Sequence, residues 1–193
     1  MAVLDTLWLT NEQATKIVAQ AAASPDEEVC GLLFGRVLPS QPLNQPMIDE
    51  IVLIDNVAAD RATRYEMNPV QFVNAYASAA AAGRELLAIY HSHVSSPPIP
   101  SETDVAEAQY PDAVYLIVRL IGGEARFAAW SITAAEVLSV PLHIGDHAPS
   151  FAAVSPVLSP AQKFSVILSA VLAAVFLLAV SLTLLPPAPP LPN

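Results

Sequence analysis

The feature that most constrains this chain is an apolar run near the C-terminus, residues 164–185. It contains 22 residues without a charged residue, a glycine or a proline. As a helix rising about 1.5 Å per residue it would be roughly 33 Å long, enough to cross a hydrocarbon core of about 30 Å. The alternative is a long core helix buried on all sides, for which a domain of this size has little room. We therefore expect one transmembrane helix at residues 164–185.

The apolar run divides the 193-residue chain into four segments. Residues 1–140 mix apolar and polar stretches and have the length of one folded domain. Residues 141–163 hold several prolines without a periodic pattern and are interpreted as a linker. Residues 186–193 are mostly proline, which cannot continue a helix. The sequence thus predicts a folded domain, a linker, a membrane anchor and a short Pro-rich tail.

The charges around the apolar run predict how the domain is oriented. Lys163 lies at the N-terminal boundary of the run, and no Lys or Arg follows it. By the positive-inside tendency, this places the preceding domain in the cytoplasm. The first ten residues also lack the basic region and the long apolar stretch of a signal peptide. We expect a single-pass membrane protein with a cytoplasmic N-terminal domain.

Composition excludes some partners and some covalent chemistry. The formal net charge is -10, and every charged residue lies at or before Lys163. An acidic surface repels phosphate backbones, so nucleic acid is not an expected partner. Cys30 is the single cysteine, which rules out an intramolecular disulfide. No Cys or His partner is spaced for a structural zinc site, so Cys30 is interpreted as a small core residue.

Helix and strand signals are mixed in the first 140 residues. A capping-box pattern from Thr10 to Gln13 predicts a helix that runs to about Ala23. Asn68-Pro69 predicts the start of a second helix, which ends near Gly83. Apolar runs predict strands over residues 29–34, 49–54, 86–90, 114–120 and 125–132. Without strict alternation, this pattern predicts an α/β or α+β domain, a mixed sheet flanked by helices.

A candidate metal site follows the third of these strands, which ends in His91-Ser92-His93. Side chains at i and i+2 of an extended segment share a face, so one metal ion can take both imidazoles. Asp104 follows His93 by eleven residues, and the proline-braced loop between them could return the chain to the same point. Two imidazoles and one carboxylate form a catalytic type of zinc set, with a fourth position left for water. For the histidine pair alone, two partly exposed side chains at a strand end are the simpler alternative.

The full string is His-x-His, seven residues, Ser101, two residues and Asp104, and it resembles the signature of the JAMM (MPN-type) metalloprotease family. That family also carries a catalytic Glu on an early strand, ahead of an apolar stretch. Here Glu28 precedes Val-Cys-Gly-Leu-Leu-Phe-Gly in the same way. Softer similarity lies at Asn56, Arg64 and residues 67–69. The resemblance covers about residues 10–135 and implies the cytidine-deaminase-like fold of the family.

The resemblance also implies a zinc-dependent metallopeptidase or isopeptidase with assigned roles. One Zn²⁺ per chain would be held by His91, His93 and Asp104. Glu28 would act as general base, and the Ser101 hydroxyl would donate to the developing oxyanion. Glu27 is the rival carboxylate, but its side chain should point to the opposite strand face. Ser101 also fits a helix cap, and the two roles are compatible.

The substrate is suggested by what the chain lacks. The stretch from Asp104 to the strand at about Val114 is too short for the insertion that linkage-selective deubiquitinases of the family carry. The resemblance is closer to compact bacterial and archaeal members, which are linked to ubiquitin-like or sulfur-carrier proteins. We expect hydrolysis of a peptide or isopeptide bond after the C-terminal tail of such a protein. The alternatives are a membrane-tethered, non-catalytic binding or assembly module of the same fold and a hydrolase of small amides.

Overall fold

The computed structural model describes residues 4–38 and 45–146, together with five single positions further on, at 165, 169, 172, 177 and 180. The first two ranges contain eight strands and three helices. In chain order these are β1 (Leu7–Leu9), α1 (Asn11–Ala23), β2 (Cys30–Leu38), β3 (Gln45–Ile54), α2 (Pro69–Ala81), β4 (Glu85–His93), α3 (Glu102–Glu107), β5 (Val114–Ile121), β6 (Glu124–Ile132), β7 (Val137–Val140) and β8 (Leu142–Ile144).

Six of the described strands form the main sheet, in the order β3-β2-β4-β5-β6-β7. Neighbouring strands are antiparallel except β4 and β5, which are parallel. A parallel pair needs a crossover connection, and here that connection carries α3. The prediction of a mixed sheet flanked by helices is confirmed.

Both faces of the main sheet are covered, because alternate side chains enter two separate cores. On one face, Leu33 and Leu87 pack with Ile17 of α1 and with β1. On the other face, Phe34 and Ile89 pack against α2. Strands buried on both faces have continuous apolar sequences, since neither face needs polar residues. This explains why β2, β4 and β5 appear in the sequence as unbroken apolar runs.

The helix starts follow the capping signals in the sequence. The Thr10 hydroxyl accepts the Gln13 amide hydrogen at 3.1 Å, and the Gln13 side chain accepts the Thr10 amide at 2.9 Å. At α2, the Asn68 side chain accepts two amides of the first turn, and Pro69 is the first helical residue. Both predicted helix starts are confirmed, because capping depends on neighbouring residues alone.

A second, two-stranded sheet pairs β1 with β8 in parallel. Residues 142–144, which the sequence analysis assigned to the linker, form β8 instead, and β1 and β7 had no clear sequence signal. The Trp8 indole donates to the Gly145 carbonyl at 2.7 Å, which ties the two ends of the domain together. The folded domain therefore extends beyond the boundary at residue 140. A strand of three residues is specified by its distant partner more than by its own sequence.

The predicted linker and Pro-rich tail lie mainly outside the described residues, as does most of the predicted transmembrane helix at residues 164–185. The five described positions in that run are helical. Across the part of the chain that the structure describes, no helix is both long enough and apolar enough to span a membrane. The membrane anchor therefore stays a prediction.

Gly35 provides a test of the packing around β2. A Cβ at this position would overlap the Met47 carbonyl oxygen and lie 2.7 Å from Leu87 Cδ1. We expect Gly35→Ala to lower the free energy of unfolding by about 1–3 kcal/mol, because the neighbouring backbone must shift. Urea denaturation followed by tryptophan fluorescence measures this change.

Gly145→Ala is the matched control, because a Cβ there meets nothing within 4 Å. It should change the free energy of unfolding by less than about 0.5 kcal/mol. Equal unfolding midpoints for the two variants would contradict the close packing at Gly35.

Candidate active site

The three predicted metal ligands lie together at the end of β4. His91 Nε2 and His93 Nε2 are 3.0 Å apart. The two carboxylate oxygens of Asp104 each lie 3.4 Å from one of these nitrogens. The ligand atoms of all three residues fall within 4.8 Å of one another. The structure thus brings His91, His93 and Asp104 to one point, and metal binding itself stays a prediction.

The loop between β4 and α3 returns Asp104 to the histidines. His93 Nδ1 lies 2.7 Å from the Pro97 carbonyl oxygen and 2.9 Å from the Ser96 hydroxyl. The Trp130 indole of β6 donates to the Pro98 carbonyl at 3.0 Å. The loop is therefore held at one end by His93 and at the other by Trp130 of β6.

The donor atoms fit a zinc ion. A carbonyl oxygen can only accept, so the contact with Pro97 places the proton of neutral His93 on Nδ1 and leaves the Nε2 lone pair free. That lone pair points toward the His91 Nε2 and the Asp104 carboxylate, all of which are nearly buried. Converging nitrogen and oxygen donors of this type suit Zn²⁺. The buried Nδ1 of His91 has no hydrogen-bond partner among the described residues.

The protonation states of Asp104 and His91 suit a metal ion. Burial by itself raises the pKa of Asp104, but hydrogen bonds from His91 and His93 outweigh it and hold this pKa well below the usual range. Burial lowers the pKa of His91 more than Asp104 raises it. Burial also acts against the charge of His93, yet hydrogen bonds to Asp104 and Pro97 raise its pKa overall. An ionised carboxylate beside the neutral imidazole of His91 is a combination that a metal ion requires.

Glu28 lies beside this set, just before β2. Cys30 pairs with His91 across β2 and β4. The Val29 amide donates to the Ser92 hydroxyl at 2.9 Å, and the Ser92 amide donates to the Val29 carbonyl at 2.8 Å. These bonds extend the register, so Glu28 lies opposite His93 on the same face of the sheet.

The Glu28 carboxyl is suited to proton transfer. It is 5% exposed, and burial raises its pKa to about 7, with His93 lowering it and Asp104 and Asp60 raising it. A pKa near the working pH is what general acid–base catalysis needs. Glu27 differs, because its side chain is about half exposed and forms an ion pair with Arg61 at 3.5 Å. The geometry favours Glu28 over Glu27, as the sequence analysis did.

Ser101 caps α3 and holds Asp104 in place. Its hydroxyl oxygen accepts the Asp104 amide at 3.1 Å, and its own amide donates to Asp104 Oδ2 at 2.7 Å. This reciprocal cap orients the carboxylate toward the histidines. The Ser101 hydroxyl hydrogen is not used by the cap. The helix cap is confirmed, and the role of Ser101 at the oxyanion stays a prediction.

Tyr65 is a site residue that the sequence analysis missed. Its ring stacks on His91, with ring centroids 4.4 Å apart and an interplanar angle of 20°. Burial raises the pKa of its phenol, so the ring stays neutral beside the metal set. A single tyrosine in a loop carries no local signal of this contact, which only the folded chain creates.

Asn56 organises the loop that carries Tyr65. Its side-chain amide bonds four backbone groups, those of Glu28, Ala58, Arg64 and Glu66. The sequence analysis noted Asn56 only as part of the softer family similarity. In the structure it links the strand that carries the candidate base to the loop that covers His91.

A cavity of about 500 Å³ adjoins Asp104 on the α2 side of the sheet. Much of its lining is apolar or aromatic and includes Tyr65, Met67, Phe72, Ile89 and Tyr110. Arg64 and Glu107 also line it and form an ion pair at 2.6 Å. The candidate metal centre is therefore bordered by a groove rather than by a flat surface.

Comparison with known proteins places this site in a family. The family of prokaryotic homologs of the JAB domain matches residues 10–133, a range that contains all five candidate site residues. The chain belongs to this family. The resemblance to the JAMM (MPN-type) proteins, first seen in the His-x-His string, is confirmed.

Individual relatives agree with the family assignment. A desampylase from Haloferax volcanii is 36% identical over 102 residues, which are 50% of this chain and 66% of the relative. A protein named a probable TtuB-protein conjugate cleaving protease, from Thermus thermophilus, is 33% identical over 63 residues, 33% of this chain and 43% of that protein. The chain thus spans less than two thirds of each of these relatives. Their names agree with the predicted enzyme class, a JAMM-type isopeptidase, and the activity of this chain stays a prediction.

The fold agrees with a solved structure. The solution structure of a protein from Desulfitobacterium hafniense matches with a TM-score of 0.65 and 23% sequence identity. The match covers 75% of this chain and 96% of that one. At this identity the likeness supports the fold alone.

Zinc content tests the ligand set. We expect the purified chain to hold about one zinc ion, and His91→Ala and Asp104→Ala to hold little or none, since each removes one of only three protein ligands. Elemental analysis of the metal per chain gives the result. Asp112→Ala is the control, because it removes an exposed carboxylate outside the site and should keep the metal. Wild-type zinc content in Asp104→Ala would remove Asp104 from the ligand set.

Proposed function

We propose that this chain is a zinc-dependent isopeptidase that cleaves conjugates of a ubiquitin-like or sulfur-carrier protein, after the C-terminal tail of that protein. The observation that carries the proposal is the convergence of His91, His93 and Asp104 beside the buried Glu28. The relatives support the substrate class, since one is named for cleaving TtuB-protein conjugates and another is a desampylase.

The chemistry divides among the residues of the site. His91, His93 and Asp104 would hold zinc, whose contribution in hydrolases is to polarise a carbonyl and to lower the pKa of water to about 7. Glu28 is not one of these ligands, so its carboxylate would remain free to move a proton. Its carboxylate accepts a proton from the attacking water and then gives that proton to the leaving amine.

Ser101 complements Glu28 on the side of the carbonyl oxygen. Its hydroxyl oxygen is occupied by the cap of α3, which leaves the hydroxyl hydrogen to donate to the oxyanion as charge develops. Removing one such donor costs about 2.7–4 kcal/mol of transition-state stabilisation in other enzymes. The cap therefore serves catalysis by holding this donor in one orientation.

The groove beside Asp104 suits an extended polypeptide tail. The groove has a volume of about 500 Å³, and its lining is partly aromatic and partly polar. Such a lining is expected for a site that holds a chain of small residues by shape. The connection from α3 to β5 is short, from Glu107 to Val114, and leaves no room for an inserted domain. These features favour a compact peptidase that recognises the tail of the modifier.

The non-catalytic binding module is the weaker alternative. A domain of this fold that only binds has no need of a buried acid with a pKa raised to about 7 next to a complete ligand set. Burying these polar groups costs stability, which a purely structural domain would avoid. The complete site therefore favours catalysis.

Glu28→Gln tests the catalytic role. We expect this variant to keep its zinc and to lose roughly 100- to 10,000-fold in kcat/KM, because the amide cannot accept a proton. The assay follows cleavage of linear fusions between sulfur-carrier proteins of the same genome and a reporter peptide, with zinc measured in parallel.

Glu27→Gln is the matched control, since Glu27 is the neighbouring carboxylate but is half exposed and paired with Arg61. It should keep near wild-type activity. An active Glu28→Gln variant alongside an inactive Glu27→Gln variant would reverse the assignment of the base.

We further propose that residues 164–185 anchor the domain to a membrane, with the domain on the cytoplasmic side. The support is the run of 22 residues without a charge and the position of Lys163 at its start. Such an anchor confines cleavage to conjugates at the bilayer surface.

Charges placed in the run test the anchor. We expect the double variant Leu172→Lys/Leu177→Lys to leave the carbonate-resistant membrane pellet, because each lysine near a helix centre costs about 2.5–3.5 kcal/mol of insertion. The apolar control Leu172→Met/Leu177→Met should remain in the pellet. A wild-type chain found in the supernatant would refute the anchor.

A further inference from the structure

Two arginines are exceptions among the basic residues of this chain. The sequence has eight Lys and Arg residues, seven of them in the described ranges. Lys16 donates to the Ile51 carbonyl at 2.9 Å. Four arginines form ion pairs with acidic side chains, namely Arg36, Arg61, Arg64 and Arg84. Of the seven described basic residues, only Arg119 and Arg126 have neither an ion pair nor a hydrogen bond from the side chain.

These two arginines lie together, in line with the candidate active site. Arg119 of β5 pairs with Arg126 of β6, and Arg119 also pairs with His93 of β4. Cross-strand partners present their side chains on the same face of a sheet. The neighbours Val118 and Phe127 belong to the core on the α1 face. Both arginines therefore lie on the opposite face, the face that carries His91 and His93.

This arrangement is unfavourable without a ligand. Like charges directly opposite one another in a sheet repel. Arg119 is partly buried, and its Nε is buried with no hydrogen-bond partner among the described residues. Buried donors of this kind are normally bonded. An anion between the two guanidinium groups would offset their repulsion. It would also accept a hydrogen bond from the buried Nε of Arg119.

We propose that Arg119 and Arg126 form an anion-binding subsite for acidic side chains of the substrate polypeptide, close to the scissile bond. The nature of the ligand rests on the proposed function, which brings a polypeptide to the neighbouring His93. A guanidinium group binds a carboxylate through two parallel hydrogen bonds, so the pair can hold an acidic side chain that enters between its two groups. In a chain with a net charge of -10, this subsite selects substrates that the rest of the surface repels.

A binding experiment tests the subsite separately from catalysis. The full zinc-loaded chain, in mild detergent, is titrated with acetyl-Gly-Glu-Glu-Gly-amide and with its glutamine twin, and the arginine Nε–Hε resonances are followed by NMR. Arg119→Gln and Arg126→Gln assign the two signals. We expect both signals to shift saturably with the glutamate peptide, and the glutamine twin to bind at least about tenfold more weakly.

Arg36→Gln is the control, because it removes the same charge from an arginine that is paired with Asp49 at 3.4 Å. It should leave the affinity for the glutamate peptide within about twofold, whereas Arg126→Gln should lower it about tenfold. Equal affinity for the two peptides would overturn the proposal, as would signals that respond to inorganic phosphate but not to the glutamate peptide. A chain that binds the peptide but cleaves no conjugate would refute the proposed function and leave the subsite standing.

Discussion

The candidate active site depends on the two pairings of β4. Antiparallel pairing with β2 brings Glu28 opposite His93, since the register that joins Cys30 to His91 continues through Val29 and Ser92. Parallel pairing with β5 requires a crossover, and that crossover carries Asp104 back over the end of the strand. A shift of one residue in the pairing of β2 with β4 would turn Glu28 to the other face and separate the candidate base from the candidate ligands.

The site also concentrates the polar groups that the domain buries. Glu28, His91, His93 and Asp104 are each less than a tenth exposed. Burial opposes charge on every one of them, and their mutual contacts decide which remain ionised. Asp104 stays a carboxylate because two histidines face it. Glu28 has no such hydrogen-bond donor among the described residues, and burial raises its pKa to about 7. One small volume thereby holds both a ligand anion and a proton carrier.

The face of the sheet that carries the candidate site differs in character on the two sides of the candidate metal ligands. The groove near Tyr65 and Asp104 is partly aromatic and partly polar, whereas Arg119 and Arg126 follow His93 across the sheet, on β5 and β6. Shape on one side of the metal centre and charge on the other would fix the direction in which a polypeptide crosses it. Proximity and orientation of this kind supply much of the rate enhancement of hydrolases.

The sequence by itself determined the helix caps at Thr10, Asn68 and Ser101, the apolar strands and the choice of candidate ligands, because each depends on residue types at short spacing along the chain. It also determined the family, since the spacing of Glu28, the histidine pair and Asp104 is specific. Only the tertiary structure decided the pairing of β1 with β8 and the stacking of Tyr65 on His91. These contacts join residues far apart in the chain, and no local sequence pattern encodes which distant segments meet.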